Sequence, residues 1–302
     1  MNSYELIFDY RQNKHYNNEL LNLIKRNNKS CFEDWMTKGH WEENYVPLSL
    51  INEKNDIITT LGVIKTNLYI NQRKCNAIQL SRIIVKEGYE DQGVEQQLLK
   101  AIVNKYSNVS DIIYSFAEDE EQQLLLENNF TKVQEYVYFI PWNPQTEQEG
   151  TVIKKIDTDS VKDLEFLQEE IKHSTRISPA ISTNGDSGVK MYNILKHYRR
   201  NVYFVPSMDA TVVFTINNNV FTLVAVFSKS PIDVMDLLSI LVPVGIERVE
   251  FGFIPKCENL HIRELNLVET PEGVIDSRLF INEITTRIAG ARILFPLLSR
   301  EK

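Results

Sequence analysis

The stretch from Ile78 to Lys100 limits what this chain can fold into more than any other. Ile78-Gln79-Leu80-Ser81-Arg82-Ile83-Ile84-Val85 reads as a strand ending in a β-branched run. Lys86 to Gln92 is a short polar turn, and Gly93-Val94-Glu95-Gln96-Gln97-Leu98-Leu99-Lys100 opens an amphipathic helix. The three follow one another without spare residues. A strand–turn–helix unit of this kind belongs to a mixed α/β sheet. It aims the free backbone N–H groups of the helix's first turn at one point, where a phosphate is readily held.

The pattern around this unit predicts its neighbours. Residues 4–10 alternate as an opening strand, and 15–26 carry a helical stripe at Leu20, Leu21, Leu23 and Ile24. Residues 31–44 form a second helical or loop segment with Phe32, Trp35, Met36 and Trp41. A hairpin is expected over 48–51 and 57–70, then a long strand over 75–85 that feeds the turn. After the helix at about 93–106 come a strand at 111–116, a helix at 118–128 and a closing strand at 132–140. The order is β-α-α-β-β-β-α-β-α-β over roughly residues 1–141.

Pro141-Trp142-Asn143-Pro144 and the polar run to Gly150 predict a linker over 142–150, separating a first domain (1–141) from a second (151–302). The second half begins a similar order. A strand at 152–156 precedes a helix at 160–173, for which Asp157 or Asp159 is the expected cap. A helix at 189–198 and strands at 203–205, 210–216 and 220–227 follow. Ser230-Pro231-Ile232-Asp233 then predicts a helix start, with serine as cap and proline in the first position, before a strand at 248–254. This half reads either as a diverged copy of the first or as a β-rich accessory domain.

Charge and cysteine usage set the function classes. Of the 41 acidic side chains 22 fall before residue 151, against only 15 of the 33 basic ones. An acidic first half argues against nucleic acid, whose binding leans on clustered Lys and Arg, and suits a cationic partner such as an amine. No apolar run approaches the roughly 20 residues needed to span a bilayer, so no membrane is expected as a partner. Cys31, Cys75 and Cys257 are scattered without metal-ligand spacing, and the five histidines show no pairing, so no metal is expected. Reduced cysteines and the lack of a secretion pattern predict a cytoplasmic protein. The apolar runs Ile240-Leu241-Val242-Pro243-Val244 and Ile293-Leu294-Phe295-Pro296 pack either within the chain or across a homodimer interface.

The element order and the turn at Glu90 to Glu95 resemble the GNAT superfamily of N-acetyltransferases. The family's acyl-CoA signature is close to Arg/Gln-x-x-Gly-x-Gly/Ala. Gly93 matches the central glycine and Val94 the aliphatic residue, while Glu90 and Glu95 replace Arg/Gln and Gly/Ala. The resemblance implies an α+β fold with a mixed sheet, in tandem if the second half is a copy. It implies transfer of an acetyl group from acetyl-CoA to an amine of a small molecule or peptide.

By the same resemblance, Ile83, Ile84 and Val85 would meet the pantetheine and thioester. Asp91, Gln92, Gly93, Val94 and Gln96 would meet the pyrophosphate, and Trp35, His40 and Trp41 would line the acceptor site. Glu118, or one of Asp119, Glu120 and Glu121, is the candidate base. Aligning Asn129-Phe130 with the family's Gly-Phe puts Leu125 at the usual acidic tyrosine, so that Tyr136, or else Tyr114, Tyr138 or water, is the candidate acid. In the second half the matching turn, Ser228-Lys229-Ser230-Pro231, has no glycine. The two glutamates and Leu125 support an alternative: a non-catalytic module of this fold that binds a ligand or a partner.

Overall fold

The computed structural model of the 302-residue chain describes residues 4–26, 31–41, 43–143, 152–275, 278–288 and 291–301, without the side chains of Cys31 and Asp34. Of the linker expected over 142–150, residues 144–150 lie outside them. The first half runs β1 (Glu5–Phe8), α1 (Lys14–Arg26), α2 (Cys31–Thr37), β2 (Tyr45–Ile51), β3 (Ile57–Ile70), β4 (Arg73–Leu80), β5 (Ile84–Val85), α3 (Val94–Tyr106), β6 (Ile112–Ala117), α4 (Asp119–Glu127), β7 (Thr131–Val133) and β8 (Tyr136–Pro141). The second half opens with β9 (Lys154–Lys155), α5 (Val161–His173), β10 (Ile181–Asn184), α6 (Ser187–His197), β11 (Val202–Val205), β12 (Ala210–Asn217), β13 (Val220–Ser228), α7 (Val234–Leu241) and β14 (Arg248–Phe251). It closes with β15 (His261–Glu264), β16 (Val268–Thr270), β17 (Gly273–Ile275) and β18 (Arg278–Glu283).

Two mixed sheets organise these elements. The first has the order β1-β2-β3-β4-β6-β18-β7, and the second, read from its far edge, β9-β11-β12-β13-β14-β8-β15. Each has one parallel pair, β4 with β6 and β13 with β14, and each pair is joined by a helix, α3 or α7. The two sheets thus share a parallel pair bridged by a helix, an arrangement compatible with a tandem. The second half also adds β10, which pairs with β3 in the first sheet.

Sheet membership does not divide at the expected linker. β8, from the first half, pairs with β14 and β15, while β18, from the second, lies between β6 and β7. The closing strand expected at 132–140 is thus two strands in two sheets. Glu135 sits at the crossing, 4 % exposed, and its carboxylate receives both Nη1–H and Nη2–H of buried Arg300 at 2.9 Å. That ion pair holds the point where the chain changes sheets.

Local signals placed most helices, with two corrections. Ser160, not Asp157 or Asp159, caps α5 by accepting from the Asp163 N–H. Asp233, not Ser230, caps α7, because its carboxylate reaches the N–H groups of Met235 and Asp236 and leaves Pro231 ahead of the first turn. Leu98, Leu99 and Ile102 of α3 are fully buried against β2, β3, β4 and β6. Cys75 and Cys257 are free thiols. Among the described residues no helix is long and apolar enough to cross a membrane, and no three His, Cys, Asp or Glu side chains are grouped to hold a metal.

Candidate functional site

The strand before α3 carries a bulge. Leu80 faces Val63 and the Ser81 N–H donates to Gly62, but Ile84 faces Thr60, so Arg82 and Ile83 together oppose Leu61. On its other side β4 parts from β6 after the pair Leu80–Ser115. Bulge and parting together leave the Ile83 N–H aimed into a groove beneath α4.

In this chain α4 fills the groove. The Glu121 carboxylate accepts from the Ile83 N–H at 2.9 Å. The Arg82 guanidinium pairs with Glu118 at 3.1 Å and Glu120 at 3.3 Å, tying the strand end to the first turn of the helix. Leu124 and Leu125 close the apolar side. What remains is a cavity of about 10 Å³ beside Ser81, Ile83 and Glu121, and another of about 10 Å³ beside Tyr45, Arg82 and Glu301. Each is room for one water at most.

The turn itself is built as expected. Gly93 takes φ 69° and ψ 20°, a left-handed conformation that favours glycine, and joins a short 3-10 turn at Glu90–Gln92 to α3. Its charge is negative. Burial and then the neighbouring Glu90 push the Glu95 carboxyl above its ordinary range. Glu90 accepts from the Gly88 N–H, and Gln96 accepts from the Asn128 side chain at 2.9 Å. Val94 is wholly buried, so only its backbone faces the turn, and Asp91 is exposed. A pyrophosphate here would meet Glu90, Asp91 and Glu95 around a helix start that those carboxylates already complement. Those carboxylates oppose a second negative charge at the turn.

The other expected site residues are dispersed. Tyr136 stands on β8 in the second sheet and lines neither small cavity. Tyr138 donates its hydroxyl to the Arg292 carbonyl. Tyr114 is 1 % exposed, packed on Phe116 and Phe295, and burial drives its pKa well up. Leu125 is buried, as its place on the core face of α4 requires. Trp35 and Trp41 stack at 6.3 Å within an aromatic cluster, and Trp35 donates to the Gly188 carbonyl. His40 is 2 % exposed. None of the three lines either cavity. Phe32 and Tyr45, from the same cluster, do.

The C-terminal residues were not legible as part of the site. Gln79 donates to the Ser299 carbonyl and accepts from the Glu301 N–H, each at 2.8 Å, so the tail lies against the bulged strand. Glu301 reaches the cavity beside Tyr45, whose pKa is raised chiefly by burial and further by Glu301. No periodicity joins residues this far apart in sequence.

The second half holds the corresponding opening in another state. Val213 faces Ala225 and Phe214 faces Leu223, so Val224 is a bulged residue on β13. β13 and β14 pair as far as Leu223 and Phe251, and the Gly252 N–H still reaches Leu223. Beyond that point lies a cavity of about 230 Å³ between Val224–Phe227, Phe253, the segment 171–190 and the tail residues Pro296 and Leu298.

A mixed sheet with a bulged strand, a parting from its parallel neighbour and a helix start beneath it is the fold of the GCN5-related N-acetyltransferases. The chain is a GNAT-fold protein. Among solved structures it resembles a GCN5-related N-acetyltransferase from Kribbella flavida (TM-score 0.56, 11% identity, 93% of this chain and 72% of that one). It is similar to Eis1 from Mycobacterium abscessus (0.56, 11%, 93% and 74%). It is also similar to an Enterococcus faecalis V583 protein of unknown function described as a probable N-acyltransferase (0.57, 10%, 93% and 72%). These identities carry the fold alone. No protein-family model and no curated protein matches the chain.

Proposed function

We propose that this protein is a non-catalytic GNAT-fold binding module, built as a tandem of two such folds, in which the first acyl-CoA groove has become a closed structural element. The Glu121 carboxylate on the Ile83 N–H carries this reading. It takes the donor that a carbonyl in the groove would need, and it brings a negative charge with it. Glu90 and Glu95 at the turn add support, because a bound pyrophosphate would be repelled there.

The retained bulge and the parting of β4 from β6 favour a second reading, acyl transfer from acetyl-CoA to an amine of a small molecule or peptide. Titration of acetyl-CoA and free CoA into the full chain separates the two. The expected result is no binding to the unaltered protein, and a gain of binding in the triple variant Glu90→Arg/Glu95→Gly/Glu121→Ala. Micromolar binding by the unaltered chain that Gly93→Trp abolishes would overturn the non-catalytic reading and make amines the acceptors to screen.

A further inference from the structure

The open cavity of the second half is lined by side chains of one dominant sign. Lys172, Arg176 and Lys190 reach it against the single carboxylate of Asp186, an excess of two positive charges. Two of these are positioned by neighbours. Asp186 is 2 % exposed and holds the Lys190 ammonium at 2.8 Å, which leaves that group's other protons for a further acceptor. The Arg176 guanidinium lies 4.0 Å from the centre of the Tyr69 ring, a cation–π contact that uses its face and not its N–H edge.

Ser182 adds a second, independent feature. It is 6 % exposed and lines the cavity, and its hydroxyl has no hydrogen-bond partner among the described residues. A buried hydroxyl without a partner is destabilising, so a group that pairs with it is favoured. The wall also presents apolar side chains, from Ile171, Val224, Val226, Phe227, Phe253 and Leu298, beside further hydroxyl and amide groups. At about 230 Å³ the space is sufficient for a short organic acid.

We infer that this cavity binds a small organic carboxylate, whose charged end meets Arg176, Lys190 and Ser182 and whose short apolar body packs on Val224, Phe227 and Phe253. The inference is independent of whether the first groove takes acyl-CoA. Charge-assisted hydrogen bonds give the anion its advantage over a neutral molecule of equal shape.

The test is titration calorimetry on the full chain with straight-chain monocarboxylates from acetate to octanoate, each beside its primary amide. A mid-length carboxylate is expected to bind about tenfold or more tightly than its amide, in line with one to two charge-assisted hydrogen bonds. Arg176→Met removes a charge without leaving one buried and unpaired, and Ser182→Ala removes the hydroxyl without adding bulk. Each is expected to weaken binding about tenfold while the circular dichroism spectrum and Tm stay as in the parent. The inference is overturned if no carboxylate binds at millimolar concentration. It is equally overturned if the amides bind as well as the acids, or if neither variant weakens binding.

Discussion

The first half closes its opening with charge, and the second leaves its own open and lines it with charge. In both, a bulged strand parts from its parallel neighbour, at Arg82 and Ile83 in one and at Val224 in the other. In the first, α4 supplies Glu118, Glu120 and Glu121 to the strand end and leaves about 10 Å³. In the second, Phe253 and the tail stand back and leave about 230 Å³. The difference between the two openings rests on the side chains that follow the parting point. The tail from Pro296 to Glu301 borders both, so it is their common wall.

Disturbing that wall gives the largest expected effect. Arg300→Met leaves the Glu135 carboxylate buried without its partner, a loss of about 3–5 kcal/mol against a total of about 5–15. Urea unfolding is expected to show a much lower midpoint, and Glu135→Gln/Arg300→Met to recover part of it. An unchanged midpoint in the single variant would mean that the tail does not hold the two openings together.

The open side is next. A Cβ at Gly252 would overlap the Val224 backbone where β13 and β14 part. Gly252→Ala is expected to cost about 1–3 kcal/mol and to alter the cavity. Gly93→Ala, strained by its positive φ but with free space around it, is expected to cost less. Equal losses in the two variants would show that the parting point is not tightly packed.

The closed side is sharpened by Glu121→Ala. Removing the carboxylate from the Ile83 N–H is expected to cost about 1 kcal/mol, reduced from a buried charged bond by partial exposure. The Ile83 amide is then expected to exchange with deuterium faster by NMR while amides of β3 do not. Unchanged exchange at Ile83 would remove the basis for a sealed groove.

The smallest effect is in pH. Burial raises the Asp186 pKa, but Lys190, with Ser299 and Thr183, outweighs it, and the net shift is downward. A carboxyl whose folded pKa lies below its unfolded value of about 3.9 contributes stability above that value and loses it as pH falls through the folded pKa. Denaturant titrations at pH 7 and below pH 4 are expected to show this loss in the parent and less of it in Asp186→Asn. An equal loss in the variant would assign it to other carboxyls.

Much of the path was legible because it rests on short-range patterns. The stripe of α1 and the polar turn ending at Gly93 each depend on residues a few positions apart. Glu135 inside the alternating run 132–140 was the visible signal that the closing strand breaks, since a lone carboxylate in a buried strand needs a partner. Arg278-Leu279-Phe280-Ile281-Asn282-Glu283 has the apolar run of a strand, yet nothing local says that it inserts between β6 and β7.

The sequence by itself determined the mixed αβ order, the crossover helices and the acidic ring of Glu90, Asp91 and Glu95 at the first turn, because periodicity and neighbouring charge are local quantities. Only the tertiary structure decided that β8 and β18 complete each other's sheets, that Trp35 and His40 are buried, and that one opening is sealed while the other stays open. Those outcomes hang on contacts such as Gln79 with Ser299 and Ile83 with Glu121, made across many intervening residues. A strand of given period can pair with either sheet, and a carboxylate at a helix start can cap, pair or reach a distant N–H. Which of these it does depends on what the fold brings within about 3 Å.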